Sequence, residues 1–483
     1  MGVLQVVFTL PLVPSRQGRG DFGLIPCSLL QGSSFFGVSM KIPEAGPNMQ
    51  ILFRRGANFL KEMAGAEDVK EIIQRANHEY WPWEDFKYKA THTRFKPDVL
   101  WGFLKFSRMG SMKTLPFSDV NGRPFRFCLP DRVLEDLHYI GQGFGGDIIM
   151  KGTDILPQSK EQYIISSLME EAIASSQIEG AVTTRRVAKE MLRKNLRPLD
   201  RSQQMIVNNY KTILTIKDTL KDPMSVQLLH ILQKMITSNT LDDLETSGRF
   251  RNKDEVIQVV DEEGQVLHNP PSAGQIPGLV EQLCSFANAE QNTVFIHPVV
   301  RAIILHFWLA YIHLYVDGNG RTARALFYWY MLKCNYWLFE YLSISRIFLK
   351  SRSQYLRAFL HSEQDDCDLT YFIVYHVRAI RLAIRELQDY IRRKQGQYRE
   401  AVSLLKKMSW MNYRQKAIVQ HALKHPEFIY TIESHKNSHN IAYQTARTDL
   451  LVLVKKGYLE KIKSGKAFQF AVPANLPKKA GVV

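Results

Sequence analysis

The chain has 483 residues, is 45% hydrophobic and 23% charged, and carries a formal net charge of +16. That composition excludes a fibrous or intrinsically disordered protein and allows two to four domains around a large core. No apolar run reaches membrane-span length; the longest, Ile303 to Val316, is interrupted by His306 and His313, so no membrane partner is expected.

Five cysteines are scattered without metal or disulfide spacing, which points to a reducing, cytoplasmic setting. The run Val3 to Val13 is weakly signal-like but has no basic leader, and Arg16 and Arg19 follow it. Residues 1–45, with many Gly, Ser and Pro, are expected to be disordered. Residues 46–159 mix short apolar helix patterns with turn signals. They read as a small, mostly helical domain with aromatics at Tyr80-Trp81-Pro82-Trp83 and a hairpin at Asn121-Gly122-Arg123-Pro124.

From about residue 160 the apolar residues Ile164, Leu168, Ala172 and Ile178 recur at helical spacing, and Gly180 can end that helix. Helical patterns continue through residues 183–240. Val256 to Val260 and Gln265 to Leu267 then flank Glu262-Glu263-Gly264 as a β-hairpin, closed by Pro270-Pro271. Helices resume at about residue 275 and run to about 394. Within them Pro298 starts an apolar helix ending near Ile312, and another opens at about Asn319. Residues 396–410 form a basic helical connector. After it come three helices and a hairpin around Ser464-Gly465, the order of a winged helix over residues 411–475, with a tail at 476–483. The fold class is mainly α. From Met411 to Val483 twelve Lys/Arg face four Asp/Glu, so half the excess charge lies in the last 73 residues. A basic module of this kind suits an anionic partner such as DNA.

The segment His313-Leu314-Tyr315-Val316-Asp317-Gly318-Asn319-Gly320-Arg321-Thr322-Ala323-Arg324 concentrates phosphate chemistry. Asp317 offers a carboxylate for magnesium, which takes one or two carboxylates plus substrate phosphates. Gly318 and Gly320 let backbone N–H groups approach phosphate oxygens at a helix start. Asn319 can fix the loop. Arg321 and Arg324, three apart, share a helix face and can clamp the distal phosphates. His313 can take a proton from an incoming hydroxyl, whereas His306 reads as a core residue. A calcium loop is excluded. Aligned on Gly320, it would need acids at Tyr315 and Leu326.

This segment resembles the signature of Fic-domain proteins, His-Pro-Phe-x-Asp/Glu-Gly-Asn-Gly-Arg-x-x-Arg, departing from it at Leu314 and Tyr315. Gly320 stands where a kinase-like branch of the family has lysine, which favours nucleotidyl transfer. The resemblance implies a protein adenylyltransferase that moves AMP from ATP to a Ser, Thr or Tyr hydroxyl of a target protein. His313 would be the general base and Asp317 the Mg2+ ligand. Gly318, Asn319, Gly320 and Arg321 would hold the α- and β-phosphates, and Arg324 the γ-phosphate. Tyr355 would line the nucleotide pocket. The hairpin at 254–268, with Val256 and Ile257, resembles the flap that docks the target segment by strand addition.

Ser175 and Glu179, followed by Gly180, resemble the family's inhibitory helix. Glu179 paired with Arg324 would keep that arginine from the γ-phosphate; the reverse reaction, removal of AMP, stays open. The aromatic N-terminal region resembles the domain that accompanies the Fic core, taken as 160–395. The C-terminal region resembles an attached winged helix, with Tyr443, Gln444 and Arg447 on its third helix and Lys461, Lys463 and Lys466 on its hairpin. Those residues could contact a DNA groove and phosphates, so the alternative reading is a DNA-binding regulator with a nucleotide-sensing core; winged helices also serve as protein-docking and dimer modules, which allows a homodimer.

Overall fold

The computed structural model describes residues 4–7, 41–50, 57–145, 157–261, 263–288, 295–407, 410–464, 467–473 and 475–476. The chain divides into two compact units, Met1–Leu387 and Gln388–Val483. The division falls inside one continuous helix, Thr370–Lys407, which also runs through the boundary expected at 395/396.

In the first unit, helices α1 (Ala57–Gly65), α2 (Glu67–Glu79), α3 (Trp83–Lys89) and α4 (Pro97–Met109) enclose a core that includes Ile72, Trp81, Phe86, Leu100 and Trp101. Proline sets the starts of two of them: Pro82 is the N-cap of α3, and Pro97 opens α4, where its missing N–H has no helical partner to lose. Strands β2 (Lys113–Ser118) and β3 (Pro124–Phe127) form the hairpin expected near Asn121, with Gly122 at φ 77° in its turn. Helix α5 (Asp131–Gly145) follows. Tyr80 ends α2 in the left-handed region and donates to Asp368 at 2.5 Å, while Lys105 pairs with Asp365 at 2.9 Å. Phe117 of β2 stacks on Trp308 at 4.5 Å. These contacts fasten the aromatic region to the helices that follow.

Those helices are α6 (Pro157–Ile178), α7 (Arg185–Lys194), α8 (Arg201–Ile216), α9 (Val226–Thr237), α10 (Ile276–Asn288), α11 (Pro298–Ile312), α12 (Asn319–Lys333), α13 (Ile344–Lys350), α14 (Arg352–Gln364) and α15 (Thr370–Lys407). Helix α11 is apolar all round and buried on nearly every face, as such a sequence requires. It packs against α12, and the pair forms the centre of the unit. Helix α6 packs on α8 and α13. The buried carboxylate of Glu171 fixes it there, accepting from the Ser345 N–H at 3.0 Å, the Ser343 hydroxyl at 3.1 Å and the Ser345 hydroxyl.

Strands β4 (Ile257–Val260) and β5 (Val266–His268) make the expected second hairpin, with a register shift between Val259 and Val260. Its outer edge carries β1 (Leu4–Val7) in parallel, Leu4 opposite Ile257 and Val7 opposite Val260. This corrects the reading of residues 1–45 as wholly disordered. Leu4-Gln5-Val6-Val7 is short and β-prone, and the edge of β4 offers it unpaired backbone groups. Residues 8–40 lie outside the described residues.

The second unit has its own core of Ile418, Tyr430, Ile432, Leu450, Leu453 and Phe470. Helices α16 (Tyr413–Lys424), α17 (Ile432–His439) and α18 (Tyr443–Lys455) precede the hairpin of β7 (Glu460–Ser464) and β8 (Ala467–Ala471). The two-residue strand β6 (Tyr430–Thr431) completes an antiparallel sheet in the order β6-β8-β7. Asp449 is buried, accepting from Arg414 at 2.7 Å and from Asn412 at 2.7 Å. Tyr443, Gln444, Arg447 and Lys461 are exposed; the side chains of Lys463 and Lys466 lie outside the described residues. No helix among the described residues is long and apolar enough to cross a membrane.

Candidate active site

The loop between α11 and α12 carries most of the candidate residues. His313 caps α11 in the left-handed region at φ 54°, its N–H bonded to Leu309 O, and Gly318 at φ 88° opens α12. A Cβ at Gly318 would also meet Thr237 Cγ2 at 2.8 Å, so only glycine fits. Asn319 locks the loop as expected. Its Oδ1 accepts from the Tyr315 N–H at 2.9 Å and its Nδ2 donates to Tyr315 O at 2.7 Å. Arg251 Nε donates to His313 O at 2.8 Å, and Gln233 donates to Asp317 O at 3.1 Å. Leu314 and Tyr315, the two departures from the signature, are fully buried. The Tyr315 hydroxyl lies 3.3 Å from His230 Nδ1, a partner that lets tyrosine stand in the core.

His313 Nδ1 lies 3.3 Å from Ala310 O. A carbonyl only accepts, so Nδ1 carries the hydrogen and Nε2 keeps its lone pair. Burial, the charge on His268 and that on Arg251 together push the His313 pKa down to about 3, so the ring is a neutral acceptor. Asp317 is the opposite case. Burial works against its charge, but Arg321, the Gly318 N–H and Arg201 outweigh it and hold the carboxyl below its usual range. Its Oδ1 takes Gly318 N at 2.5 Å and Arg321 at 3.0 Å; Oδ2 has Arg201 at 3.8 Å.

Glu179 reaches this loop from just past the end of α6. Its Oε1 accepts from Arg324 Nη2 at 2.9 Å, and Ser175 holds the same guanidinium twice, through its hydroxyl at 2.8 Å and its carbonyl at 2.9 Å. Burial opposes the charge on Arg324, but the Glu179 carboxylate more than restores it. The carboxylate sits directly over Gly320: a Cβ built there would lie 2.2 Å from Glu179 Oε1.

The cavity at the loop is lined by His313, Asp317, Gly318, Asn319, Gly320, Arg324, Tyr355 and Glu179. The structure therefore brings together most of the residues singled out in the sequence. It encloses about 100 Å³, against roughly 300–1,000 Å³ for pockets that hold small molecules. Arg321 is a correction. It is 1% exposed, donates to Ile236 O at 3.3 Å and to Asp317, and does not line the cavity. Ile257 is likewise buried and backbone-paired to Leu4, while Val256, just before β4, is exposed. His306 is a core residue as expected, 2.9 Å from the Tyr355 hydroxyl and 3.2 Å from His376.

Sequence reasoning missed His268 and Glu363, which line the same cavity and pair at 2.7 Å. The signal for Glu363 was its spacing: Tyr355, Phe359 and Glu363 fall at i, i+4 and i+8 on one face of α14. Arg251 gave no signal at all. Among the described residues no group of three or more His, Cys, Asp or Glu could hold a metal ion by itself. Asp317 is one charged carboxylate on the cavity wall, which fits an ion that draws its other ligands from phosphates and water.

The sequence profile of the Fic/DOC family matches residues 223–331. Proteins named protein adenylyltransferase Fic from Drosophila mojavensis and Drosophila melanogaster share 38% and 36% identity with this chain over 69 residues. Those stretches are 14% of this chain and 14% of the relatives' own length. A crystal structure of a Fic family protein from Desulfovibrio desulfuricans G20 superposes with a TM-score of 0.46 at 18% identity, covering 71% of this chain and 94% of that one.

Proposed function

We propose that this chain, which belongs to the Fic/DOC family through its residues 223–331, is an autoinhibited protein adenylyltransferase. The observation that carries the reading is the Glu179 carboxylate, bonded to Arg324 and seated over Gly320. In the transfer, the target hydroxyl gives its proton to His313 Nε2 while its oxygen bonds to the α-phosphorus of ATP, and pyrophosphate leaves. The Gly318 and Gly320 backbone and Arg324 would hold the phosphates. Asp317 would hold Mg2+, which supplies charge neutralisation on the phosphates when bound. Arg321 acts at one remove, as the cation that orients Asp317. With Glu179 in place, Arg324 is taken and a negative oxygen occupies the phosphate seat, so ATP is repelled. The flap β4–β5 would present the target segment by strand addition.

The test is the intact mass of wild type, Glu179→Gly and His313→Ala after incubation with ATP and magnesium. An AMP adduct on Glu179→Gly alone is the expected result. An adduct of equal yield on wild type would remove Glu179 from its inhibitory role. An adduct on His313→Ala would remove His313 as the base.

A second reading, DNA contact by the second unit, is favoured by its composition and by the exposed Tyr443, Gln444 and Arg447 at the start of α18. Those side chains would read the groove in a winged-helix arrangement. Binding to duplex DNA that weakens steeply with salt is expected, and its loss in Arg447→Ala checks the residue.

A further inference from the structure

Three polar side chains stand in the aromatic core behind Arg324 and take no part in the transfer as proposed. His306 of α11 and His376 of α15 are each 1% exposed, and Tyr355 of α14 is 4% exposed. The rings of Phe327, Phe348, Phe359 and Phe372 surround His306. Polar groups buried among such neighbours cost stability unless each has a hydrogen-bond partner.

Here they partner one another in a chain, and the chain has a direction. His376 Nδ1 lies 2.9 Å from Phe372 O, which only accepts, so Nδ1 carries the hydrogen. Burial pushes the His376 pKa down to about 3 and that of His306 well below its usual value, so both rings are neutral and each has one hydrogen. His376 Nε2 is therefore an acceptor, and it takes the hydrogen of His306 Nδ1 at 3.2 Å. That leaves His306 Nε2 bare, and the Tyr355 hydroxyl donates to it at 2.9 Å. On its other side the Tyr355 oxygen has only lone pairs to offer. There it meets Arg324, which hydrogen-bonds to it and opposes the rise that burial gives its pKa.

Arg324 thus has two kinds of partner. Ser175 and Glu179 hold it from the end of α6. Tyr355 holds it from α14 and is tied through the histidines to α11 and α15, so this partner stays when the end of α6 lets go. Resting on the adenylyltransferase reading, we infer that His306 and His376 are positioning residues: they fix the Tyr355 hydroxyl as an acceptor, which keeps Arg324 aimed at the distal phosphates once Glu179 has left. Phosphate oxygens are acceptors as well. A hydroxyl whose hydrogen is already given to His306 offers them nothing, so Tyr355 acts on the nucleotide through Arg324. Without the two histidines the hydroxyl is free to turn its hydrogen toward a phosphate oxygen.

The experiment compares equilibrium binding of ATP and of AMP in magnesium buffer, since AMP lacks the phosphates that Arg324 would hold. The proteins are full-length Glu179→Gly and the same chain with Tyr355→Phe, His306→Leu or His306→Gln added. Tyr355→Phe and His306→Leu are expected to weaken ATP about 10-fold, the worth of a hydrogen bond to a charged group, and AMP by less than about 2-fold. His306→Gln can place an amide oxygen where Nε2 stands, and is expected to restore most of the ATP-to-AMP ratio. Retained AMP binding shows that the variants are folded. A ratio unchanged by Tyr355→Phe or by His306→Leu overturns the inference. Equal weakening of both nucleotides overturns it too, because that marks a merely structural role. Ring nitrogen NMR shifts of His306 in the parent are expected to show the hydrogen on Nδ1; a hydrogen on Nε2 would reverse the chain and sink the idea. A parent that binds ATP no more tightly than AMP has the same consequence. The AMP adduct is weighed in the same samples. Adduct formation with a ratio indifferent to Tyr355 refutes only the positioning role, whereas a Tyr355-dependent ratio without any adduct refutes only the transfer reading.

Discussion

His313 has a carbonyl beside one nitrogen and an open lone pair on the other, while His268, in the same cavity, has acceptors on both. Their protonation follows from that difference. His313, pushed down to about 3, stays neutral across pH 5 to 8, and His268 is held in its charged form. The linkage has opposite signs. Below about pH 6.5 the unfolded chain binds a proton that native His313 refuses, so its contribution to stability fades as pH falls. The contribution of His268 is present below that value and is lost as pH rises through its raised native pKa. Histidine ring carbon shifts followed by NMR are expected to show His313 flat from pH 5 to 8 and His268 protonated at pH 7. A His313 midpoint near 6.5 would mean that water reaches the ring. At this scale the sequence displayed the loop residues that the structure gathers on one cavity wall, because Asp317, Gly318, Asn319 and Gly320 are adjacent in the chain. It misplaced Arg321. Residues three apart on a helix differ by about 60° in direction. On α12, buried on all sides, that angle separates the cavity from the core.

Among the elements, the apolar helix from Pro298 to Ile312 and the hairpin after Val256 were legible from period and turn residues, since each pattern answers to local geometry. The strand added to the hairpin edge was not. Four residues, Leu4-Gln5-Val6-Val7, carry too little pattern to declare a partner more than two hundred positions away. That pairing places the chain's own backbone on the flap edge where a target segment would add. Deleting residues 1–8 is expected to raise amide hydrogen exchange across Ile257–Val260 by at least about tenfold, because the backbone groups bonded to β1 become exposed. Unchanged exchange would show that β1 gives the flap no protection. Helix α6 is fixed at a different point. Glu171, protonating more readily than an exposed glutamate because burial disfavours its charge, is bound by Ser343 and Ser345. Glu179 is thereby delivered to Arg324 by a helix that is itself anchored two turns earlier.

Over the whole molecule, the two units keep separate cores, and a single helix, Thr370–Lys407, spans the division between them. Sequence composition marked the basic second unit but not the seam. The backbone of this 38-residue helix runs unbroken through any boundary placed within it. The second unit buries the carboxylate of Asp449. Burial alone would raise the pKa of Asp449, but Arg414, Asn412 and His435 bring it below the ordinary carboxylate value. Asp449→Asn is expected to destabilise this unit by about 2 kcal/mol at pH 7, less than a fully buried pair because Arg414 retains some exposure. The Asp449 contribution is present above its unfolded pKa of about 4 and is lost as pH falls through the lower native value. The gap between wild type and variant in thermal melts should therefore narrow from pH 5 toward pH 3. A gap that stays constant would mean that the charge on Asp449 is not what the unit relies on.

If Glu179 inhibits as proposed, its closeness to Gly320 restricts the routes of release. A side chain at position 320 would evict the glutamate, yet it would fill the proposed phosphate seat. The lock and the seat share one volume, so a change on the loop trades one blockage for another. Release has to come from the α6 side, through Glu179, Ser175 or whatever shifts their helix. A selection for constitutively active variants would draw its winners from that helix and its supports, and leave the glycines of the loop untouched.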